Sequence, residues 1–174
     1  MLRLSASLFN QPVVSLRVGG KIATATEPII NPHNLKIIGW WCRVGGEEEL
    51  QVLLADDVRD LLIDAITVNN EEALSSVEDL VRHREIIDLD FKLMGKLVRT
   101  KRTKIGHVED FSYNEGMFVQ KLYVGKSLVK VLTNNATAII DRTQIIEVTD
   151  NYILVQDTDI KAGAEEVSAA AVTA

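Results

Sequence analysis

Short apolar segments separated by turn residues recur along most of the chain, and this spacing constrains the fold more than any single motif does. Clear examples lie at residues 35–44, 50–54 and 152–155. Strands about 8–12 residues apart, with turn signals between them, are typical of small β-sandwiches and β-barrels. The composition agrees, since 19 Val, 16 Ile and 11 Thr among 174 residues are β-branched side chains that pack well on pleated sheets. We therefore expect a mainly β chain.

Residues 69–90 depart from this pattern. A polar, turn-like stretch at 69–76 is followed by a set with helical spacing, namely Val77, Leu80, Val81 and Arg84. Ser75 and Glu78 have the spacing of a capping box, which marks the start of a helix. The sequence predicts a short helix of about two or three turns here, between two strand-rich halves.

The two halves resemble each other. Gly20-Lys-Ile22 in the first half matches Gly95-Lys-Leu97 in the second, and each half then runs through a turn-rich stretch into an apolar strand, at 35–44 and at 116–124. Further apolar segments follow at 50–54 and 61–68 in the first half, and at 128–132, 138–140, 144–148 and 152–155 in the second. We predict two tandem copies of one small β fold.

The second half has the clearer resemblance to a known family. It opens with Leu93-Met-Gly95-Lys-Leu-Val98, then continues with Lys104-Ile-Gly106-His-Val-Glu-Asp110 and closes with apolar strands at 139–148 and 150–155. An apolar-x-Gly-x-x-Val strand, a charged turn and a Gly-x-Val-x-Asp strand resemble the start of a PRC-barrel domain. In the first half, residues 18–22 and 53–59 are similar to the same skeleton, and residues 27–31 replace the Gly-x-Val-x-Asp step.

The resemblance implies two tandem small PRC-barrel-like β-barrels joined by a short α-helix. We place an N-terminal extension at 1–12, the first domain at 13–74, a helical linker at 75–90 and the second domain at 91–159. Residues 160–174 are mostly small or polar side chains with little to bury, so we expect a disordered tail there.

The resemblance also implies a binding role. The PRC-barrel family includes the C-terminal domain of a ribosome maturation factor and the cytoplasmic part of the photosynthetic reaction centre H subunit, in which the barrel docks on another protein. No catalytic residues are carried over. We therefore expect a non-catalytic adaptor for a protein partner, with RNA metabolism or ribosome maturation as the narrower hypothesis. Self-association into a homo-oligomer and a small-molecule-binding barrel or enzyme remain open alternatives.

Trp41 and Arg43 are the first candidate contact with a protein partner. Alternation along 38–44 places Ile38, Trp40 and Cys42 on one apolar face and directs Trp41 outward beside Arg43. An exposed Trp next to an Arg is typical of an interface anchor. The alternative is that Trp41 packs under the central helix or against the other barrel, because a Trp buries a large area wherever it can.

A basic cluster is the second candidate. No acidic residue lies between its first member and His107, and it consists of Lys92, Lys96, Arg99, Lys101, Arg102 and Lys104. On a chain of formal net charge −6, such a cluster favours contact with an RNA backbone or with an acidic partner. Only Phe91 adjoins it, so a base-stacking platform is not expected. The alternative is a solvated hairpin tip over 92–104 whose lysines protect a strand edge.

We expect no cofactor and no metal. His33, His83 and His107 are scattered, and none has a second ligand at metal-binding spacing. Cys42, the one cysteine, falls on the apolar phase of its strand and is expected to be a buried, inert thiol. No apolar run approaches the length of about 20 residues that a membrane span needs. A cytoplasmic location without membrane contact is the expectation.

Overall fold

The structure is a computed structural model that describes residues 1–46, 49–126 and 137–157. The chain divides into two compact units. The first unit contains Met1–Phe91 together with Tyr113–Phe118, and the second contains Lys92–Ser112 and Val119–Ala174. Both units are mainly β, as the composition and the spacing of the apolar segments predict.

The first unit consists of short strands joined by tight turns. Its strands are β1 (Arg3–Leu4), β2 (Gln11–Ser15), β3 (Gly20–Asn31), β4 (Lys36–Arg43), β5 (Leu50–Leu54), β6 (Val58–Leu61), β7 (Ile66–Val68) and β8 (Leu74–Ser75). Single turns of 3-10 helix lie at Ser5–Leu8, Ala55–Asp57, Glu71–Ala73 and Val77–Asp79, and one short α-helix, α1, spans Arg84–Asp88.

The second unit repeats this plan within its described residues. Its strands are β9 (Leu97–Arg99), β10 (Lys104–Tyr113, whose last residue belongs to the first unit), β11 (Val119–Lys126), β12 (Ala138–Asp141), β13 (Ile145–Val148) and β14 (Tyr152–Val155). A turn of 3-10 helix at Arg142–Gln144 joins β12 to β13, as Ala55–Asp57 joins β5 to β6.

The two sheets have the same strand order. The first runs β6-β7-β2-β3-β4-β5, with β8 beyond β5, and the second runs β13-β14-β9-β10-β11-β12. In each sheet one neighbouring pair is parallel, β2 with β7 and β9 with β14. The pairs β6–β7, β2–β3, β3–β4 and β4–β5 of the first sheet and β13–β14, β9–β10 and β11–β12 of the second are antiparallel. Each sheet curls into a half-barrel. Both faces of the first sheet carry buried side chains, since Val52 and Leu53 are neighbours on β5 and both are fully buried.

Equivalent cross-strand pairs fill the two cores. Trp40 on β4 lies opposite Leu53 on β5, and Leu122 on β11 lies opposite Ile140 on β12. All four side chains are fully buried. Aliphatic side chains suffice for most of this packing because the interior of a small barrel is narrow. Trp40, Phe111 and Tyr113 are the large aromatic exceptions, and the second unit has Leu122 at the place that corresponds to Trp40.

The correspondence between the sheets corrects our alignment of the two halves. Gly20-Lys-Ile22 begins β3, whereas Gly95-Lys-Leu97 leads into β9, which takes the place of β2. Val13 pairs with Ala23 in the first unit, and Val98 pairs with Gly106 in the second. The matching of glycines was therefore wrong by one strand, because a shared Gly-Lys dipeptide at a turn does not identify which strand follows.

The predicted helix of two or three turns is also wrong. Ser75 ends β8, the 3-10 turn Val77–Asp79 follows, and α1 begins only at Arg84. Val81, which the helical spacing assigns to the packed side, is 78% exposed. The segment belongs to the first unit. Its apolar side chains Val77, Leu80 and Ile87 pack at a cluster with Ile29 and Val52 on the sheet, so the sheet surface sets their spacing.

Other boundaries differ in detail. The predicted strand 61–68 is a hairpin in which β6 ends at Leu61 and β7 begins at Ile66. Residues 1–12, expected to be an extension, contain β1, the fully buried Leu8 and the start of β2. The predicted strand at 128–132 and the predicted tail at 160–174 lie outside the described residues. The strands at 50–54 and 152–155 are confirmed to the residue.

Candidate functional site

The turn between β9 and β10 is closed by the side chain of Thr100. The amide of Thr100 donates to the carbonyl of Thr103 over 2.8 Å. The Thr100 hydroxyl oxygen accepts hydrogen bonds from the amides of Arg102 and Thr103, at 3.2 and 3.0 Å. Thr100 itself is only 2% exposed. A buried hydroxyl that bonds the backbone in this way holds the turn in one conformation.

Three cations project from this closed turn. Lys101, Arg102 and Lys104 are all exposed. Among the residues that the structure describes, no carboxylate lies within 4.0 Å of their charged nitrogens. We name Thr100, Lys101, Arg102, Thr103 and Lys104 the basic tip. Its backbone is fixed while its charges remain available, which is how a rigid scaffold presents a binding loop.

Arg99 borders the basic tip. Its guanidinium lies over the ring of Tyr152, 5.4 Å from the ring centroid, and its Nε donates to the carbonyl of Thr100. Arg99 also pairs with Lys104 across the ladder of β9 and β10. Like charges directly opposite each other in an antiparallel sheet are destabilising. The hairpin therefore concentrates positive charge at some cost to its own stability.

The remaining members of the predicted cluster lie elsewhere. Lys96 precedes β9, at the opposite end of that strand from the basic tip, and its Nζ donates to the carbonyl oxygen of Asp150 over 2.7 Å. Burial lowers the pKa of Lys96, and the nearby Asp150 carboxylate partly opposes that effect. Lys92 lies in the segment before Lys96 and is exposed. The hairpin predicted over 92–104 therefore begins at Leu97, and only part of the cluster lies at its tip.

Trp41 is half-buried. It packs, with Ile38 and Leu54, against the cluster of Ile29, Val52 and Ile87, and Ile87 belongs to α1. Arg43, two residues further along β4, is exposed. The strict alternation that we expected fails at Ile38, which is only partly buried, whereas Ile37 is fully buried. The register of β3 against β4 shifts between Ile29 and Ile30, next to this point, and such a bulge changes the facing of side chains.

The first unit also has a polar cleft of about 360 Å³. It lies between the turn after β5 and the turn after β7, and its lining includes Asp56, Asp57, Arg59, Asn69, Asn70 and Glu72. Arg59 donates to the side-chain oxygen of Asn69 over 3.1 Å. We did not predict this cleft from the sequence. The pairing of Val58 with Val68 brings the two turns together, and no local pattern indicates it.

The histidines and the cysteine do not come together as a metal-binding or catalytic site within the described residues. His33 and His107 are exposed, and His83 precedes α1. Within the described residues, no group of three or more His, Cys, Asp or Glu side chains is placed to hold a metal ion. Cys42 is fully buried, and burial raises the pKa of its thiol to about 12. A thiol with that pKa is protonated at neutral pH and is a poor nucleophile.

No protein-family model matches the chain, and no curated protein matches it. In the ranges that the structure describes, no helix has the length and apolar character needed to cross a membrane.

Proposed function

We propose that the chain is a non-catalytic adaptor, built of two tandem PRC-barrel-like domains, that binds a protein partner. The observation that carries this proposal is the strand order common to both sheets, including one parallel pair at the same place in each. The residues that resemble the PRC-barrel pattern, 93–113 and 139–155, form β9 and β10 at the centre of that order, together with β12 at one end and β13 and β14 at the other.

The described side chains support a binding function more than a catalytic one. The basic tip is rigid and charged, whereas the nucleophile candidate Cys42 is buried and its pKa is raised. A cytoplasmic location and a role in RNA metabolism belong to this same proposal. The polar cleft is the feature that a small-molecule-binding barrel would use, and it is lined largely by exposed side chains.

Direct contact with an RNA backbone is the second candidate function. The exposed cations Lys101, Arg102 and Lys104 favour it, because phosphate contacts are made mainly by Lys and Arg. Such binding weakens steeply as salt concentration rises. Docking through an apolar anchor such as Trp41 should depend little on salt concentration.

An affinity capture from native lysate, with and without nuclease, tests the proposal. We expect the wild-type chain to retain a specific protein after nuclease treatment. Trp41→Ala and the double variant Lys101→Glu/Arg102→Glu then identify the surface that is used. Loss of every captured protein on nuclease treatment would favour the RNA candidate. Capture that none of these changes alters would contradict both predicted contact sites.

A further inference from the structure

The basic tip is a cluster of exposed cations for which the fold supplies no carboxylate partner among the described residues. It differs from an ordinary lysine-rich loop in two respects. Its backbone is held by the buried Thr100 hydroxyl, so little conformational entropy is lost when a partner binds. Lys104, the last residue of the tip, lies opposite Arg99, which borders it, and an anionic partner would relieve the repulsion of these like charges.

The surroundings of the basic tip favour a protein over a nucleic acid. The Arg99 guanidinium lies over the ring of Tyr152, 5.4 Å from the ring centroid, and so occupies a ring face on which a base could otherwise stack. The whole chain has a formal net charge of −6. A long polyanion is repelled by such a chain, whereas a short acidic segment of a folded protein can meet the tip alone.

We propose that the basic tip docks a carboxylate-rich segment of a protein partner. This inference rests on the proposed adaptor function and names the chemistry of its partner. Lys101 and Arg102 contact the carboxylates directly, and Lys104 and Arg99 extend the positive field along the hairpin. Thr100 is a positioning residue that fixes the turn. Arg102 is suited to a bidentate contact because its planar guanidinium matches the geometry of a carboxylate.

The first unit supplies a matched control. Its β2–β3 turn takes the same place in the strand order as the basic tip, with the exposed cation Arg17 in the turn and the exposed Lys21 at the start of β3. Arg17→Glu/Lys21→Glu changes the net charge of the full chain by the same amount as Lys101→Glu/Arg102→Glu. A difference in peptide affinity between the two double variants therefore depends on where the substituted cations lie and not on the overall charge of the chain.

The test is fluorescence anisotropy with the full chain and two labelled probes, a synthetic oligoglutamate peptide and single-stranded oligouridylate RNA. We expect the peptide to bind at low salt. Lys101→Glu/Arg102→Glu should weaken that binding at least about tenfold, because each substitution replaces an attraction with a repulsion. The β2–β3 control should stay within about threefold of the wild type, an allowance for the shared change in long-range field. Far-ultraviolet circular dichroism and thermal unfolding verify that each variant is folded.

Three results would overturn the inference. They are tight binding of the RNA with none of the peptide, equal losses in the two double variants, and no peptide binding at all. Lysate capture distinguishes failure of this inference from failure of the proposed adaptor function. If wild type and Lys101→Glu/Arg102→Glu capture the same protein equally and Trp41→Ala loses it, the adaptor function stands and the basic tip is excluded. If the wild type captures no protein, the adaptor function itself is contradicted.

Discussion

Gly39 lies where β4 passes closest to the backbone of β5. A Cβ atom at this position would meet the carbonyl oxygen of Leu53 at a distance that real Cβ atoms do not reach. Leu53 is fully buried in the sheet, and its carbonyl belongs to the backbone, so neither can move aside cheaply. The requirement at Gly39 is therefore steric. A residue without a side chain allows the two strands to approach beside Trp40.

Gly39→Ala should lower the free energy of unfolding by about 1–3 kcal/mol, the usual cost of forcing an extra carbon into a packed interior. Urea denaturation followed by tryptophan fluorescence measures this change. Gly20→Ala is the control, since a Cβ there meets nothing within 4 Å. Equal stability of the Gly39→Ala variant and the wild type would contradict the close approach of the two strands.

At the scale of an element, the turn between β12 and β13 is the best-defined cap. Asp141 accepts hydrogen bonds from the Thr143 amide and hydroxyl, at 2.9 and 2.8 Å, and the Asp141 amide donates to the Gln144 side chain over 2.8 Å. These bonds from Thr143 lower the pKa of the Asp141 carboxyl. The corresponding turn of the first unit begins at Leu54 and has no side-chain cap.

Asp141→Ala should destabilise the chain by about 1 kcal/mol at pH 7, as the loss of a cap does elsewhere. Because the folded state lowers this pKa, the stabilisation is complete above the unfolded pKa of about 4 and is lost as the pH falls through the folded value. The difference in unfolding free energy between wild type and variant should therefore shrink below pH about 4. Urea titrations across the pH range measure it.

Asp157→Ala is the control for this pH dependence, because it removes an exposed carboxylate outside the capping turn. Its effect on unfolding free energy should be small at every pH. A stability difference for Asp141→Ala that stays constant down to pH about 2 would contradict the role of the ionised carboxylate.

Elements of the sheet were largely predictable, and the segment that covers it was not. The strands at 50–54 and 152–155 alternate or cluster apolar residues between clear turns, so the local pattern is sufficient. Residues 77–87 match a helical period, but Ile29 and Val52 on the sheet determine which of their side chains are buried. The cations of the basic tip are visible in the sequence as a run. The Thr100 hydroxyl that orders them is not, because its role depends on a turn geometry that the sequence does not specify.

At the scale of the whole molecule, chain order and spatial order differ at one place. Tyr113–Phe118 begins at the last residue of β10, in the second half of the sequence, but belongs to the first unit. There the Tyr113 side chain is 1% exposed, and its hydroxyl lies 2.8 Å from the Ser7 hydroxyl. The carbonyl of Met117 accepts a hydrogen bond from the amide of Ile37 over 2.7 Å. The first unit is therefore incomplete without residues that lie more than twenty positions beyond its main segment.

Tyr113→Ala should destabilise the first unit by about 3–5 kcal/mol, the usual cost of removing a buried aromatic ring. The two tryptophans, Trp40 and Trp41, both lie on β4, so tryptophan fluorescence reports on this unit specifically. The tryptophan-detected urea midpoint should fall. Tyr123→Ala, a half-buried tyrosine of the second unit, should move that midpoint by less. An unchanged midpoint for Tyr113→Ala would contradict the assignment of this segment to the first unit.

The parallel pair in each sheet has a mechanical consequence. β2 and β7 run side by side in the same direction, with Val13, Val14 and Ser15 opposite Ile66, Thr67 and Val68, and β9 and β14 are paired in the same way. Chain enters this pair at one end and leaves it at the other. Tension applied between the first residue of β2 and the last residue of β7 would therefore pull the two strands past each other and load their hydrogen bonds together, whereas an antiparallel pair joined in the same way would open one bond at a time. We expect each parallel pair to resist such tension more than an antiparallel pair would.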